Sequence, residues 1–370
     1  MKKTYPLVDL YVQYLSIKKD IDNAIKTVIQ ESTFIGGKYV ETLEQEIAKY
    51  CGVKYAVSLN SGTDALFLSL YSLGITQGDE VITTPFTFIA TSEVVALRGA
   101  KPVFVDIEPY TFNINPELIE QKITKKTKAI IVVHLFGQPT RMDKIKQIAS
   151  KHHLYIIEDA AQSIGATYKS KRVGSIGITG CFSFFPSKNL GGYGDGGIIT
   201  TNNKKIADQI RLFKNHGSIK KYYNTAIGLS SRLDSIQASI LLAKLPYLDR
   251  WNNKRKDIAY LYSQYLKDIE WIDTPKETPK ASHVYHQYTV RVKKGMRNGL
   301  KQYLARLGIS TMIYYPVPLH LLKAMKYLQY KKGDFPVTEK ASSEVLSLPI
   351  YPELEKKDIS YIAKKIRSYV

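Results

Sequence analysis

The sequence predicts an α/β fold built on a mostly parallel sheet, and three observations carry that reading. Over the first 250 residues, short aliphatic and β-branched runs alternate with stretches of helical periodicity. The runs are apolar at nearly every position, as in Ala129-Ile130-Ile131-Val132-Val133, which is the pattern of strands covered on both faces. Polar residues then stand where runs end, His134 after one and Asp159 at the end of another, and open parallel sheets hold their ligands at such ends.

Taken in order, residues 6–10 are extended, and Ile17, Ile21, Ile25 and Ile29 recur at helical spacing. After a turn at 33–37, Val40, Leu43 and Ile47 form a second helical pattern. Residues 56–59 read as a strand, and Asn60-Ser61-Gly62-Thr63-Asp64 turns into a helix carrying Leu66, Leu68 and Leu70. Strand–helix pairs follow at 81–83 with 89–97, 102–106 with 116–121, and 129–133 with 142–149. Further strands are expected at 155–159, 182–185 and 198–200. A helix over 204–213 stops at Asn215-His216-Gly217, and a long helix begins at 233–248. Beyond it come a strand at 288–292, a helix at 300–307, a proline-spaced loop at 314–320 and a last helix at 359–366. A chain of 370 residues suggests more than one core, and the change of pattern places a large domain at 1–250 and a smaller α+β domain at 251–370.

Composition narrows the class. With 44% hydrophobic and 23% charged residues the chain is globular rather than disordered. No apolar stretch follows Lys2 and Lys3, so no secretory signal is expected, and no apolar run is long enough to span a bilayer. Cys51 and Cys181 lack metal-ligand or disulfide-framework spacing, which fits a cytoplasmic protein without a metal site. The net charge of +20 is concentrated late, with 22 basic against 11 acidic residues from 251 onward. The lysines are scattered singly, without a dense block or interleaved aromatics, so a solvated surface is expected rather than a nucleic-acid site. Such a field also attracts phosphorylated small molecules.

The chemistry concentrates around Lys188. Phe182, Phe184 and Phe185 precede it, and five of the seven residues 191–197 are glycine. Aromatic surroundings desolvate an ammonium and lower its pKa, and a neutral amine is what Schiff-base chemistry requires. Alone, the segment equally fits a lysine at the mouth of a β-turn. Likewise Ser61-Gly62-Thr63 reads either as a phosphate-binding helix start or as a plainly capped helix. Together with Phe88 after a strand and Asp159 at a strand end, they supply what pyridoxal 5'-phosphate needs. That cofactor requires a phosphate cup, a stacking ring, an acid for its ring nitrogen and a lysine for its aldehyde.

The chain also resembles a known family. Ser61-Gly62-Thr63-Asp64-Ala65-Leu66, Pro85-Phe86-Thr87-Phe88, Val133-His134-Leu135-Phe136-Gly137, Glu158-Asp159-Ala160-Ala161-Gln162 and Ser183-Phe184-Phe185-Pro186-Ser187-Lys188-Asn189-Leu190 occur in the order seen in the DegT/DnrJ/EryC1/StrS nucleotide-sugar aminotransferases. The resemblance runs from Pro6 through Arg232-Leu233-Asp234 to the Tyr314-Tyr315-Pro316 loop. It implies an aspartate-aminotransferase-like large domain (PLP fold type I), a smaller C-terminal domain and a homodimer with active sites at the interface. By the same resemblance Lys188 holds the cofactor as a Schiff base, and Asp159 keeps the pyridine nitrogen protonated. Gln162 contacts the ring's phenolic oxygen, Phe88 stacks on the ring, and Ser183 with the Gly62 and Thr63 amides binds the phosphate. One position departs from the pattern. Ser230 stands where many relatives carry an asparagine that reaches the phosphate from the neighbouring subunit, so the loop must move in or water must bridge.

The activity implied is transfer of an amino group from L-glutamate, leaving 2-oxoglutarate, to a keto nucleotide-diphosphate sugar for aminosugar or surface polysaccharide synthesis. The Lys188 segment is closest in wording to members acting at C3 of UDP- or dTDP-linked 3-keto sugars, uronates among them, with C4 as the alternative. The glycines would leave room for the sugar nucleotide beside the ring. Arg232 is a candidate for the sugar carboxylate or diphosphate, since a guanidinium pairs such groups bidentately. Tyr314, Tyr315 and His320 are candidates for the sugar and diphosphate, or for a packed hinge between domains. Two rivals remain. Sugar dehydratases of this kind replace the Schiff-base lysine by histidine, whereas Lys188 is present; a basic DNA-binding regulator would need a helix-turn-helix with a basic recognition helix, and none is evident here.

Overall fold

The computed structural model describes residues 3–369; Met1, Lys2 and Val370 lie outside the described residues. Seven strands form the central sheet: β1 (Tyr55–Leu59), β2 (Glu80–Thr83), β3 (Lys101–Phe104), β4 (Thr127–Val133), β5 (Tyr155–Asp159), β6 (Thr179–Ser183) and β7 (Gly197–Thr201). Their spatial order is β1-β7-β6-β5-β4-β2-β3. Strands β2 to β6 pair in parallel, while β7 runs antiparallel to both of its neighbours. The sheet is thus mostly parallel, as its apolar strands predict. The reversal of β7 follows from its connection: residues 184–196 contain no helix, and a parallel return needs a crossover element.

Each strand feeds two cores. Ile131, Ile157 and Ile199 face the helices Gly62–Ser72, Ala90–Leu97 and Lys204–Phe213. Their neighbours Ile130, Val132 and Ile156 pack on the opposite face with Met142 and Ile145 of the helix Met142–Lys151. Period-two alternation with both sets buried explains the continuous apolar runs.

Two expected helices take other forms. Residues 116–121 make a pair of 3-10 turns, Pro116–Leu118 and Glu120–Lys122, in which Pro116 and Ile119 are buried at the spacing of three that a 3-10 turn favours. The long helix is divided into Ser235–Lys244, a turn at Leu245–Tyr247, and Leu248–Leu266. Pro246 causes the break, because it lacks an N–H and clashes with the preceding turn.

A second core gathers the Leu248–Leu266, Arg297–Arg306 and Lys356–Arg367 helices around an antiparallel sheet of Ile272–Asp273, Tyr288–Val292 and Val345–Leu348. Tyr262 and Tyr288 stack in it with ring centroids 5.0 Å apart. Tyr5 also belongs here, bridging Ile309, so the chain's first described residues pack with its last third. Asp106, just past β3, accepts from the Val337 and Thr338 amides and the Thr338 hydroxyl at 3.0, 2.9 and 2.7 Å. These bonds cap the Pro336–Glu344 helix and moor the second core against the sheet. No helix among the described residues is long and apolar enough to cross a membrane.

Lys244 is a buried cation, 1% exposed, that donates to the Gly191 carbonyl at 2.7 Å and lies 4.2 Å from the Tyr193 ring centre. Burial pulls its amine down to about 8. A lysine depressed in the fold costs stability while it must carry charge, and the cost fades as pH rises from the folded to the unfolded pKa. Between about pH 8 and 10.5 the parent should therefore gain up to about 3 kcal/mol over Lys244→Met, read from paired denaturant titrations across pH.

Candidate active site

The parallel register aligns the ends of three strands. Val133 pairs with Asp159, and Asp159 with Cys181, two residues before Ser183. The loops leaving these ends, the N-terminus of the Gly62–Ser72 helix and the 314–315 loop enclose a cavity of about 410 Å³.

The helix end forms one wall. Ser61 caps it, its hydroxyl accepting from the Asp64 amide at 3.0 Å, while the first-turn N–H groups have no intrahelical acceptor. A Cβ on Gly62 would lie 2.7 Å from Ser183 Cβ, and one on Gly197 2.2 Å from the Ser61 carbonyl oxygen. Glycine at both positions lets the helix end press against the ends of β6 and β7. The Ser183 hydroxyl accepts from the Phe185 amide at 3.3 Å, leaving its own hydrogen free to donate.

Asp159, also lining the cavity, is buried. One carboxylate oxygen accepts from the Thr91 hydroxyl at 2.7 Å and the other from the Ala161 amide at 3.3 Å. Burial pushes its carboxyl up, while Thr91, the Ala161 amide and the Lys188 charge pull it back. Lys188 is half-buried and lines the cavity, and the surrounding protein desolvates its amine. That desolvation lowers the amine to about 8, against the opposing pull of Asp159.

The other expected residues divide. Gly62, Thr63, Phe88, Gln162, Ser183, Tyr314 and Tyr315 line the cavity with Lys188 and Asp159. Gln162 accepts from the Phe136 amide at 2.6 Å and donates to the Tyr315 hydroxyl at 3.3 Å, which ties the second core's loop to the first. Phe88 is 55% exposed at the mouth, 6.5 Å from the Tyr315 ring. His320 is not brought to the cavity: it is buried, with Nε2 3.0 Å from Glu339 and its ring 4.7 Å from Phe335. Ser230 and Arg232 are exposed and bond each other at 3.1 Å, outside this chain's cavity. Between them, Ser231 donates to Asp64 on the cup helix at 2.6 Å.

Most of the glycines are packed against protein rather than open to the cavity. Gly191 packs on the Pro186 carbonyl, Gly192 and Gly194 on the Gln237 side chain, and of the five only Gly196 lines the cavity. Their role is close packing of the loop that carries Lys188. His134 is likewise spent inside the fold. Its Nδ1 accepts from the Thr140 amide at 3.1 Å, so Nε2–H donates to Glu158 at 3.0 Å. Sequence reasoning missed Thr91, Asp195, His286 and Gln287, which also line the cavity. Thr91 stands beside Ser92 and Glu93 in the first turn of the 90–97 helix, and nothing local marks it or the others as cavity residues.

This arrangement accords with the comparisons. A model of the DegT/DnrJ/EryC1/StrS aminotransferase family matches residues 15–367. The chain belongs to this family. Among DegT/DnrJ/EryC1/StrS relatives, a "Pleiotropic regulatory protein" of Geobacillus stearothermophilus is 48% identical over 366 residues, 98% of each chain. A UDP-2-acetamido-2-deoxy-3-oxo-D-glucuronate aminotransferase of Pseudomonas aeruginosa is 44% identical over 96% of this chain and 97% of its own. The crystal structure of S. venezuelae DesV in complex with a ketimine intermediate matches with a TM-score of 0.96 at 39% identity, covering 99% of this chain and 98% of that one. The fold is that of the PLP-type aminotransferases.

The Ser61–Gly197 contact sets a test. Gly197→Ala should lower stability by about 1–3 kcal/mol, since its Cβ meets backbone rather than a yielding side chain. An unchanged melting temperature would contradict the close approach.

Proposed function

We propose that the chain is a pyridoxal-phosphate-dependent aminotransferase moving the amino group of L-glutamate onto a keto nucleotide-diphosphate sugar, at C3 of a UDP- or dTDP-linked 3-keto sugar. The observation that carries the proposal is the meeting of the Lys188 amine and the buried Asp159 carboxylate in one cavity walled by a helix N-terminus. The donor set fits this cofactor. Free first-turn amides, the helix dipole and the Ser183 hydroxyl suit a phosphate, and the exposed face of Phe88 suits a flat ring. Bound there, the cofactor supplies an electron sink for the carbon bearing the transferred nitrogen.

The chain's own residues do the rest. Asp159, held by Thr91 and the Ala161 amide, faces the cavity to keep a proton on a ring nitrogen. Lys188, with its amine lowered to about 8, reaches the neutral form far more readily than a free lysine, so Nζ can accept a proton from the substrate carbon and return it. Gln162 and Tyr315 form the side facing the second core, and Tyr314 with Tyr315 lines the way in for the sugar. In a homodimer the exposed Ser230 and Arg232, anchored through Ser231, would serve the cup of the second copy, Ser230 at the phosphate and Arg232 at the substrate anion. C3 is supported by the 3-oxo substrate in the name of the Pseudomonas relative. A purely regulatory role, as the Geobacillus relative's name suggests, would leave Lys188 and Asp159 without a task.

The decisive measurement is mass spectrometry of UDP- and dTDP-linked 3-keto and 4-keto sugars incubated with the protein and L-glutamate. Amination of a 3-keto sugar is expected; amination of 4-keto sugars alone would move the assignment to C4, and no amination of any would overturn it. Lys188→Ala should abolish turnover and the visible absorbance of cofactor-bound protein. Asp159→Asn should retain cofactor yet slow transfer by more than about 100-fold, measured in single-turnover reactions.

A further inference from the structure

Lys188 Nζ makes no hydrogen bond among the described residues, although it carries up to three donors. Across the same cavity lies His286, buried and on the segment leading into the Tyr288–Val292 strand. The residue after Lys188 is bonded to it: Asn189 Oδ1 lies 3.3 Å from His286 Nδ1.

The direction of that bond can be worked out. Asn189 Nδ2 donates to the Val284 carbonyl at 3.0 Å and to Asn252 Oδ1 at 2.7 Å, while Asn252 Nδ2 donates to the Ile164 carbonyl at 3.1 Å. Carbonyls only accept, so both amides have one orientation, and Asn189 Oδ1 must accept. His286 Nδ1 is therefore the donor. Burial first, then the nearby charges of Lys188 and Arg255, keeps the ring neutral. A neutral imidazole protonated on Nδ1 carries a lone pair on Nε2, and Nε2 has no partner among the described residues.

We propose that His286 is a positioning residue whose Nε2 accepts a hydrogen bond from the Lys188 amine and holds it between proton transfers. Asn252 and Asn189 act through it by locking the tautomer. The two side chains line the same cavity but are not bonded in the structure, so the contact requires a different rotamer of the flexible lysine stem. The inference rests on Lys188 being the reacting amine.

The test uses the full-length chain washed free of cofactor and follows acylation of Lys188 against pH by peptide mass spectrometry. His286→Asn keeps a donor toward Asn189 but removes the acceptor from the cavity; His286→Gln places an amide near Nε2. An acceptor favours the ammonium, so His286→Asn should lower the labelling midpoint by about one pH unit and His286→Gln should restore most of it. Asp159, Asp195, Tyr314 and Tyr315 on the cavity side, and His283 and Arg255 behind His286, are common to all three proteins and cancel. Equal midpoints in folded parent and His286→Asn would overturn the proposal. If that variant does not fold, nitrogen-15 imidazole spectra of the parent decide: a proton on Nδ1 supports it, and a proton on Nε2 overturns it. Turnover retained by Lys188→Ala would instead sink the functional reading and leave the tautomer result standing.

Discussion

Backbone-to-backbone contact between the N-terminus of the Gly62–Ser72 helix and the ends of β6 and β7 underlies the rest of the site. Two glycines permit it, Gly62 against Ser183 and Gly197 against the Ser61 carbonyl. A helix end so placed turns its free amides toward the strand ends that carry Ser183 and, one loop later, Lys188. Any side chain at either glycine would push the cup away from the lysine. The reversed β7 serves the same contact, because a strand returning at once from the Lys188 loop brings Gly197 beside Ser61.

Within this frame two opposed charges are held under different rules. Asp159 is buried and its carboxyl is pushed up by that burial, while hydrogen bonds from Thr91 and Ala161 oppose the shift. Lys188 has no comparable set of partners, and desolvation dominates. Burial thus disfavours the charged form of both groups, opposed at Asp159 by its hydrogen bonds and at Lys188 only by the Asp159 charge. Lys244 shows that burial alone can produce a similar amine without a site, since it faces a carbonyl and a ring under the same loop. What separates the two lysines is the cavity.

The histidines divide in the same way. His134 stands at a strand end, where ligands gather, yet both ring nitrogens are consumed by Thr140 and Glu158. His320 lies in a loop that reaches the cavity through Tyr314 and Tyr315 but turns inward onto Glu339 and Phe335. His286 lies in no motif, and it has one nitrogen facing an open space shared with Lys188.

The sequence by itself determined the α/β class, the parallel strands and the residues at their ends. A strand buried on both faces must be apolar throughout, and a side chain at its end is placed by that strand alone. Lys188, Asp159, Gly62, Thr63, Ser183 and Phe88 were legible for this reason, as each is set by its own local segment. Only the tertiary structure decided the direction of β7, the packing role of the glycines, and the positions of Thr91 and His286 at the cavity. It also separated Tyr314 and Tyr315, which line the cavity, from His320, Ser230 and Arg232, which do not. These depend on segments distant in the chain, such as Asn189 meeting Asn252 and Val284, and no local pattern encodes which of two polar side chains finds its partner inside the fold.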